Sequence, residues 1–177
     1  LIHTYGSCAC MEDAQIVFNN LVDNSLVLWN ACIAGYAGEG DCIACVRVYE
    51  DLKLRGIDPD EVTFTSLLSS CSHSGLIHIG LGHFAFMRSD YSINPDSKHY
   101  GIIVDLVGRA GDFNTLERIL EKIPKKADLA MWLCVLNACR IHGNFGVAKQ
   151  AFDCVMHLNP KNSAAYVLMS NIYADAE

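Results

Sequence analysis

An aromatic residue returns at Trp29, Phe64, Tyr100, Trp132 and Tyr166, in steps of 35, 36, 32 and 34 residues. A self-similar period in this range is the mark of a helical repeat array, and it limits the fold more than any other feature of the chain. Apolar residues follow the aromatic three, four and seven positions on. They are Cys32, Ile33 and Tyr36 after Trp29, then Leu67, Leu68 and Cys71, then Ile103, Val104 and Val107, then Val135, Leu136 and Cys139. Tyr166 keeps Met169 and Tyr173 but has Ser170 between them. Such spacing lays an apolar stripe along one face of a helix.

A second stripe follows each of the first four. It runs through Cys45, Val48, Tyr49 and Leu52, then Gly80, His83, Phe84 and Met87, then Leu116, Ile119, Leu120 and Ile123, then Ala148, Ala151, Phe152 and Val155. Glycines between the stripes (Gly38 and Gly40, Gly108 and Gly111, Gly143) break one helix from the next. Residues 26–60 are therefore a helical hairpin of 35 residues. Each hairpin has two apolar faces and covers them only by stacking on neighbours, so the expectation is an all-α, right-handed α-solenoid of about ten helices without strands. Gly80 and Gly82 fall inside a second helix, where each costs roughly 1 kcal/mol relative to alanine, so that helix is expected to be the weakest.

The same register divides the chain. Leu1, Ile2 and Tyr5 fit the end of a first helix, with Ala14, Val17, Phe18 and Leu21 on its partner, so residues 1–25 read as a truncated short repeat. Full repeats follow at 26–60, 61–96 and 97–128, then 129–162, and 163–177 supply one further helix. Pro59-Asp60 and Pro95-Asp96 close two of them; proline ends a hairpin, and the aspartate can cap the next helix. The chain opens in mid-pattern without an initiator methionine, and is expected to be a fragment whose start, with any targeting peptide, lies upstream.

A formal charge of −7 disfavours binding driven by phosphate charge alone, so any nucleic-acid contact must be local. Of nine cysteines, Cys32, Cys45, Cys71 and Cys139 fall on the stripes, where a free thiol behaves as a small hydrophobe; the odd count fits a reducing compartment. Cys42 and Cys45 form a lone C-x-x-C with no second pair at zinc spacing. No histidine begins an H-x-E and no P-C-x-x-C occurs, so the zinc-deaminase ligand set is missing. Neither a phosphate-binding loop, a dinucleotide fingerprint nor a nucleophile elbow is present, and the chain reads as non-enzymatic, without cofactor, metal or membrane span.

The strings WNACIAGYAGEG, PDEVTFTSLLSSCSHSGL, HYGIIVDLVGRAGD, ACRIHGN and NSAAYVLMSNIYA, set in hairpins of 35, 36 and 32 residues, resemble the plant pentatricopeptide repeat proteins of the mixed-length (PLS) subclass. The resemblance covers essentially the whole chain. It implies a standard P-type repeat at 26–60, a long L-type repeat at 61–96 and a short S-type repeat at 97–128, followed by an E1 motif at 129–162 and the start of an E2 motif at 163–177. It further implies a single-stranded RNA-binding adaptor in the mitochondrion, or alternatively the chloroplast. The role would be recognition of cytidine-to-uridine editing sites, with the deaminase acting in trans or belonging to a missing C-terminal domain. Editing partners would be contacted through residues 129–177.

By the same resemblance one base is read per repeat, by its fifth and last residues. The pairs become Asn30 with Asp60, Thr65 with Asp96, and Gly101 with Asp128, while Val27 and Val62 would sandwich the bases. Gly101 departs from the pattern, having no side chain with which to meet a base edge. Read without the resemblance, Asp60, Asp96 and Asp128 are helix caps, Asn30 is a solvated polar residue and the two valines are packing residues. A helical scaffold that binds peptides stands as the alternative function, because tetratricopeptide repeats share the hairpin.

Overall fold

The structure is a computed structural model that describes residues 25–123 and 128–175. The regular structure of the described residues is nine helices, with no strand among them. The expected helix through Ala14–Leu21, and the truncated repeat to which it belongs, lie outside the described residues apart from Ser25.

Two compact units divide the chain. In the first, Leu1–Pro95, the helices are α1 (Leu26–Glu39), α2 (Cys42–Leu54), α3 (Glu61–Ser74) and α4 (Ile77–Ser89). The second, Asp96–Glu177, holds α5 (Ser97–Arg109), α6 (Phe113–Leu120), α7 (Leu129–His142), α8 (Phe145–Leu158) and α9 (Ser163–Ala174). In the first unit α1 packs on its partner α2 and on α3, the first helix of the next repeat, while α3 packs on α4. In the second, α5 packs on α6 and α7, and α7 on α8 and α9. First helices thus stack on first helices within each unit, so residues at the same repeat position stand beside one another.

The stripes become the cores. Trp29, Cys32, Ile33, Cys45, Val48, Tyr49, Leu52, Phe64, Leu67 and Met87 form one buried cluster in the first unit. Ile103, Val104, Val107, Leu116, Val135, Leu136, Cys139, Ala148, Ala151 and Val155 are buried in the second. The aromatic landmark itself changes character along the chain. Trp29, Phe64 and Tyr100 are buried, Trp132 is half-buried, and Tyr166 is 51% exposed. The stripe expected through Tyr166 and Tyr173 is not the buried face of α9, which packs through Ala165, Met169 and Ile172. Tyr166 instead lays its ring edge against Phe152, with centroids 5.4 Å apart, and donates its hydroxyl to the Pro160 carbonyl at 3.2 Å.

The hairpin turns are made by Gly40, Gly75, Gly111 and Gly143, all at positive φ, which spares the steric cost a side chain would meet there. Gly38 and Gly108 lie inside helices instead of breaking them. Gly108 is where α5 meets α7: a Cβ there would stand 2.9 Å from the Ala138 Cβ. A Cβ at Gly101, on the same helix, would meet nothing within 4 Å. Gly101→Ala should therefore raise stability by roughly 1 kcal/mol through helix propensity, whereas Gly108→Ala should lower it by about 1–3 kcal/mol through overpacking. Urea unfolding of the two variants checks the opposite signs; the same sign in both would contradict the packing described. Among second helices, α2, α6 and α8 begin at capping side chains of Asp41, Asp112 and Asn144. Helix α4 starts at Leu76 without one, a second cause of weakness beside its two glycines.

Candidate nucleic-acid interface

Each repeat-ending aspartate caps the first helix that follows it. Asp60 accepts from the Thr63 N–H at 2.9 Å, Asp96 from Lys98 at 2.9 Å and His99 at 3.1 Å, and Asp128 from Met131 at 2.9 Å. The bonds occupy N–H groups that the first helical turn leaves without partners.

Asp60 does more than cap. The Asn30 side chain on α1 donates its Nδ2–H to Asp60 Oδ1 at 2.9 Å, joining the fifth and last residues of one repeat. The Thr63 hydroxyl on α3 has two acceptors for its one hydrogen, Asn30 Oδ1 at 2.6 Å and Asp60 Oδ1 at 3.0 Å, and it accepts the Asp60 backbone N–H at 3.1 Å. Asn30 is only 8% exposed and Thr63 is fully buried. Reading Asn30 as a solvated surface residue therefore does not hold, since both ends of its amide are bound at the seam between α1 and α3. Burial pushes the Asp60 carboxyl upward. The Thr63 backbone N–H, the Asn30 amide, the Thr63 hydroxyl and the Val62 N–H outweigh it and hold the group below the ordinary carboxylate value. Asp60 is thus a fixed anion whose bonds orient its neighbours.

Val27 and Val62 are 74% and 55% exposed, the reverse of what packing residues would show. Each lies three residues before a polar position on its own helix, Asn30 on α1 and Thr65 on α3, so it shares that face. Thr65 is half-buried and donates its hydroxyl to the Glu61 carbonyl one turn back, at 2.8 Å. Its expected partner, Asp96, belongs to the second unit, where His99 takes the place that Thr63 has on Asp60: His99 Nδ1 stands 2.6 Å from Asp96 Oδ1. Gly101 has no side chain to offer Asp128.

Thr63 was not among the residues singled out from the sequence. Its signal is the Asp-x-x-Thr spacing of Asp60 and Thr63, a reciprocal capping box, in which the two residues bond each other's backbone N–H. Helices α1 and α3 carry no lysine or arginine. Among the described residues no three His, Cys, Asp or Glu side chains converge to hold a metal ion. Cys42 Sγ lies 3.5 Å from Cys71 Sγ in the buried seam of α2 and α3. Burial pushes the Cys45 and Cys71 thiols up to about 12, so they sit as neutral packing groups. None of the described helices is long and apolar enough to cross a membrane.

The pentatricopeptide repeat family model matches residues 24–73, and a single-repeat model matches residues 62–91. The chloroplastic protein ELI1 of Arabidopsis thaliana, named as pentatricopeptide repeat-containing, is 38% identical over 98% of this chain and 28% of its own length. A mitochondrial pentatricopeptide repeat-containing protein of the same plant is 37% identical over 99% of the chain and 26% of its own. The chain spans between 20% and 33% of the length of such curated relatives. Among solved structures, maize PPR10 superposes with a TM-score of 0.76 at 20% identity, over 99% of this chain and 26% of that one. PPR10 in complex with an 18-nucleotide psaJ RNA element gives 0.76 at 19% identity, over 98% and 26%. At such identity the likeness is one of fold, an α-solenoid of helix-turn-helix repeats. A hairpin period of 35 residues, its first-helix stacking and relatives alike along nearly all its length lead to one assignment: the chain belongs to the pentatricopeptide repeat proteins.

Proposed function

We propose that this chain is part of a sequence-specific, single-stranded RNA-binding adaptor that works in organelle RNA processing, where it recognises sites of cytidine-to-uridine editing. The observation that carries the reading is the 2.9 Å bond between Asn30 and Asp60, flanked by the exposed Val27 and Val62. An amide anchored on a carboxylate can meet a base edge, and an exposed apolar side chain can lie against a base face; unstacked bases offer both. Repeats 26–60, 61–96 and 97–128 act as P-, L- and S-type members of the PLS subclass, with 129–162 and 163–177 as E1 and E2 motifs. Thr65 and Asp96 read a second base, and Asp128 supports a position that Gly101 leaves unread. Curated relatives named mitochondrial and chloroplastic support an organellar site of action, the mitochondrion being preferred and the chloroplast the alternative. The PPR10 complex with RNA supports the ligand class.

The chain binds and positions; a deaminase in trans, or in a further domain, supplies the chemistry. Editing partners dock through residues 129–177, in keeping with a cavity of about 350 Å³ in the second unit lined by Glu117, Leu120, Glu121, Trp132, Gln150 and Cys154. The cavity is also what a peptide-binding scaffold would use, the second reading.

Equilibrium binding to a short RNA, single-stranded and as a duplex, tests the proposal. Among the described residues the first helices hold only Lys98, Arg109 and Arg140 as strong cations. At about 0.7 per phosphate neutralised, log K should fall with log salt no more steeply than about −2. Single strands should be bound and duplex refused. Equal binding of both, or of neither, would remove the RNA reading and favour the scaffold.

A further inference from the structure

We propose that Thr63, a residue of the following repeat, is a positioning residue for the Asn30–Asp60 pair, holding in place the Asn30 amide whose order Asp60 sets, so that it separates keto bases from amino bases. The inference rests on the base-reading proposal above and adds a third residue to it.

The argument is a count of donors and acceptors. A side-chain amide has two N–H groups and two lone pairs, while a carboxylate only accepts. Asp60 therefore takes one Asn30 N–H at 2.9 Å, and the Thr63 hydroxyl, which also stands 3.0 Å from Asp60 Oδ1, makes its shorter bond to Asn30 Oδ1 at 2.6 Å. Turned over, the amide would set its oxygen against Asp60 Oδ1, a contact between two acceptors, so Asp60 sets the order of the amide and Thr63 holds the amide in place. One N–H and one lone pair remain, in a fixed order. Uracil and guanine offer a ring N–H beside a carbonyl; cytosine and adenine offer a bare ring nitrogen beside an amino group. An amide whose order is fixed matches one of these pairs of bases and opposes the other. Thr63 can hold this position because it is itself held: it is fully buried, and its oxygen accepts the Asp60 N–H at 3.1 Å. The equivalent residues on the next two caps are His99 and Met131, neither of which has a hydroxyl to donate, so the device belongs to this repeat.

The test uses the ¹⁵N-labelled 177-residue chain, free and with RNAs that differ as uridine or cytidine at one position. In the free chain, Thr63→Val should speed hydrogen exchange of the Asn30 side-chain N–H donated to Asp60, and Thr63→Ser should restore it. With RNA, Thr63→Val should shrink the uridine-to-cytidine affinity ratio about three- to tenfold, the worth of one net hydrogen bond, with recovery in Thr63→Ser. Thr63→Ala removes the hydroxyl without the second methyl, and serves where valine disturbs α3. Unchanged exchange, or an equal loss of affinity for both RNAs, would overturn the proposal and leave Thr63 a helix cap. A wild-type chain whose ratio is indifferent to Asn30→Ala would instead refute base reading, while the exchange measurement still decides what Thr63 does.

Discussion

Phe64→Ala should cost residues 25–95 about 3–5 kcal/mol, the range for truncating a buried aromatic. Phe64 is fully buried, and its ring is met by Tyr49 at 6.0 Å and 60° and by Tyr91 at 5.6 Å and 55°. Those rings come from α2 and from the segment after α4, so the cavity would open where three parts of the first unit meet. Edge-on aromatic contacts add about 0.5–1.5 kcal/mol beyond the area they bury. Tyr166→Ala, at the same repeat position but half-exposed in α9, should cost no more than about 1 kcal/mol. In a stacked array each repeat answers mainly to its neighbours, so the Phe64 loss should be concentrated in the first unit. Denaturant unfolding gives the magnitude and amide hydrogen exchange gives the location. A cost under about 1.5 kcal/mol for Phe64→Ala would mean that the ring cluster does not anchor the unit.

The contrast between Phe64 and Tyr166 also shows what periodicity could and could not reveal. Stripes such as Cys32–Ile33, Leu67–Leu68 and Val135–Leu136 were legible because burial recurs at helical spacing and hydrophobicity records it. The aromatic landmark was legible as a marker of register, yet its burial depends on which helices cover it, and the sequence around Tyr166 carries no such information.

The position just before the landmark went unnoticed. Before the last four landmarks it holds Thr63, His99, Met131 and Ala165, all buried, each donating its backbone N–H to the capping Asp60, Asp96, Asp128 or Asn162, while Leu28, before Trp29, is half-buried. Hydrophobicity could not find this position, because the four side chains share none. What they share is a place in the cap, three residues after an aspartate or asparagine, where the bond to the N–H turns the side chain inward. The aspartates were legible as caps for the same chemical reason. Their second task, at Asp60, depends on Asn30, which lies 30 residues earlier and comes near only because first helices stack on first helices.

Asn30→Thr should move the preferred base at its position from uridine, the base that the family resemblance implies for an Asn–Asp pair, towards guanosine, a change on the order of 1–3 kcal/mol, or about ten- to a hundredfold in relative affinity. Asparagine reaches further from α1 than threonine and presents a donor beside an acceptor, which suits the compact edge of a pyrimidine. Threonine withdraws from the base by one atom, leaves room for a purine, and offers a hydroxyl to guanine. Asp60 should survive the exchange as a cap, because the Thr63 N–H remains bound to it at 2.9 Å. Lys53→Ala is the control: Lys53 lies on α2, paired with Glu50 at 3.1 Å on an exposed face, and its loss should leave base preference untouched. The measurement is competition among four RNAs that differ at one base, with the wild-type chain, Asn30→Thr and Lys53→Ala. Val27 and Val62 are untouched in all three proteins, so contact with base faces should be unchanged and total affinity should move less than the ratio between bases. A preference that stays with uridine after Asn30→Thr would remove Asn30 from the reading edge, leaving its bonds to Asp60 and Thr63 as a tie between α1 and the capped start of α3.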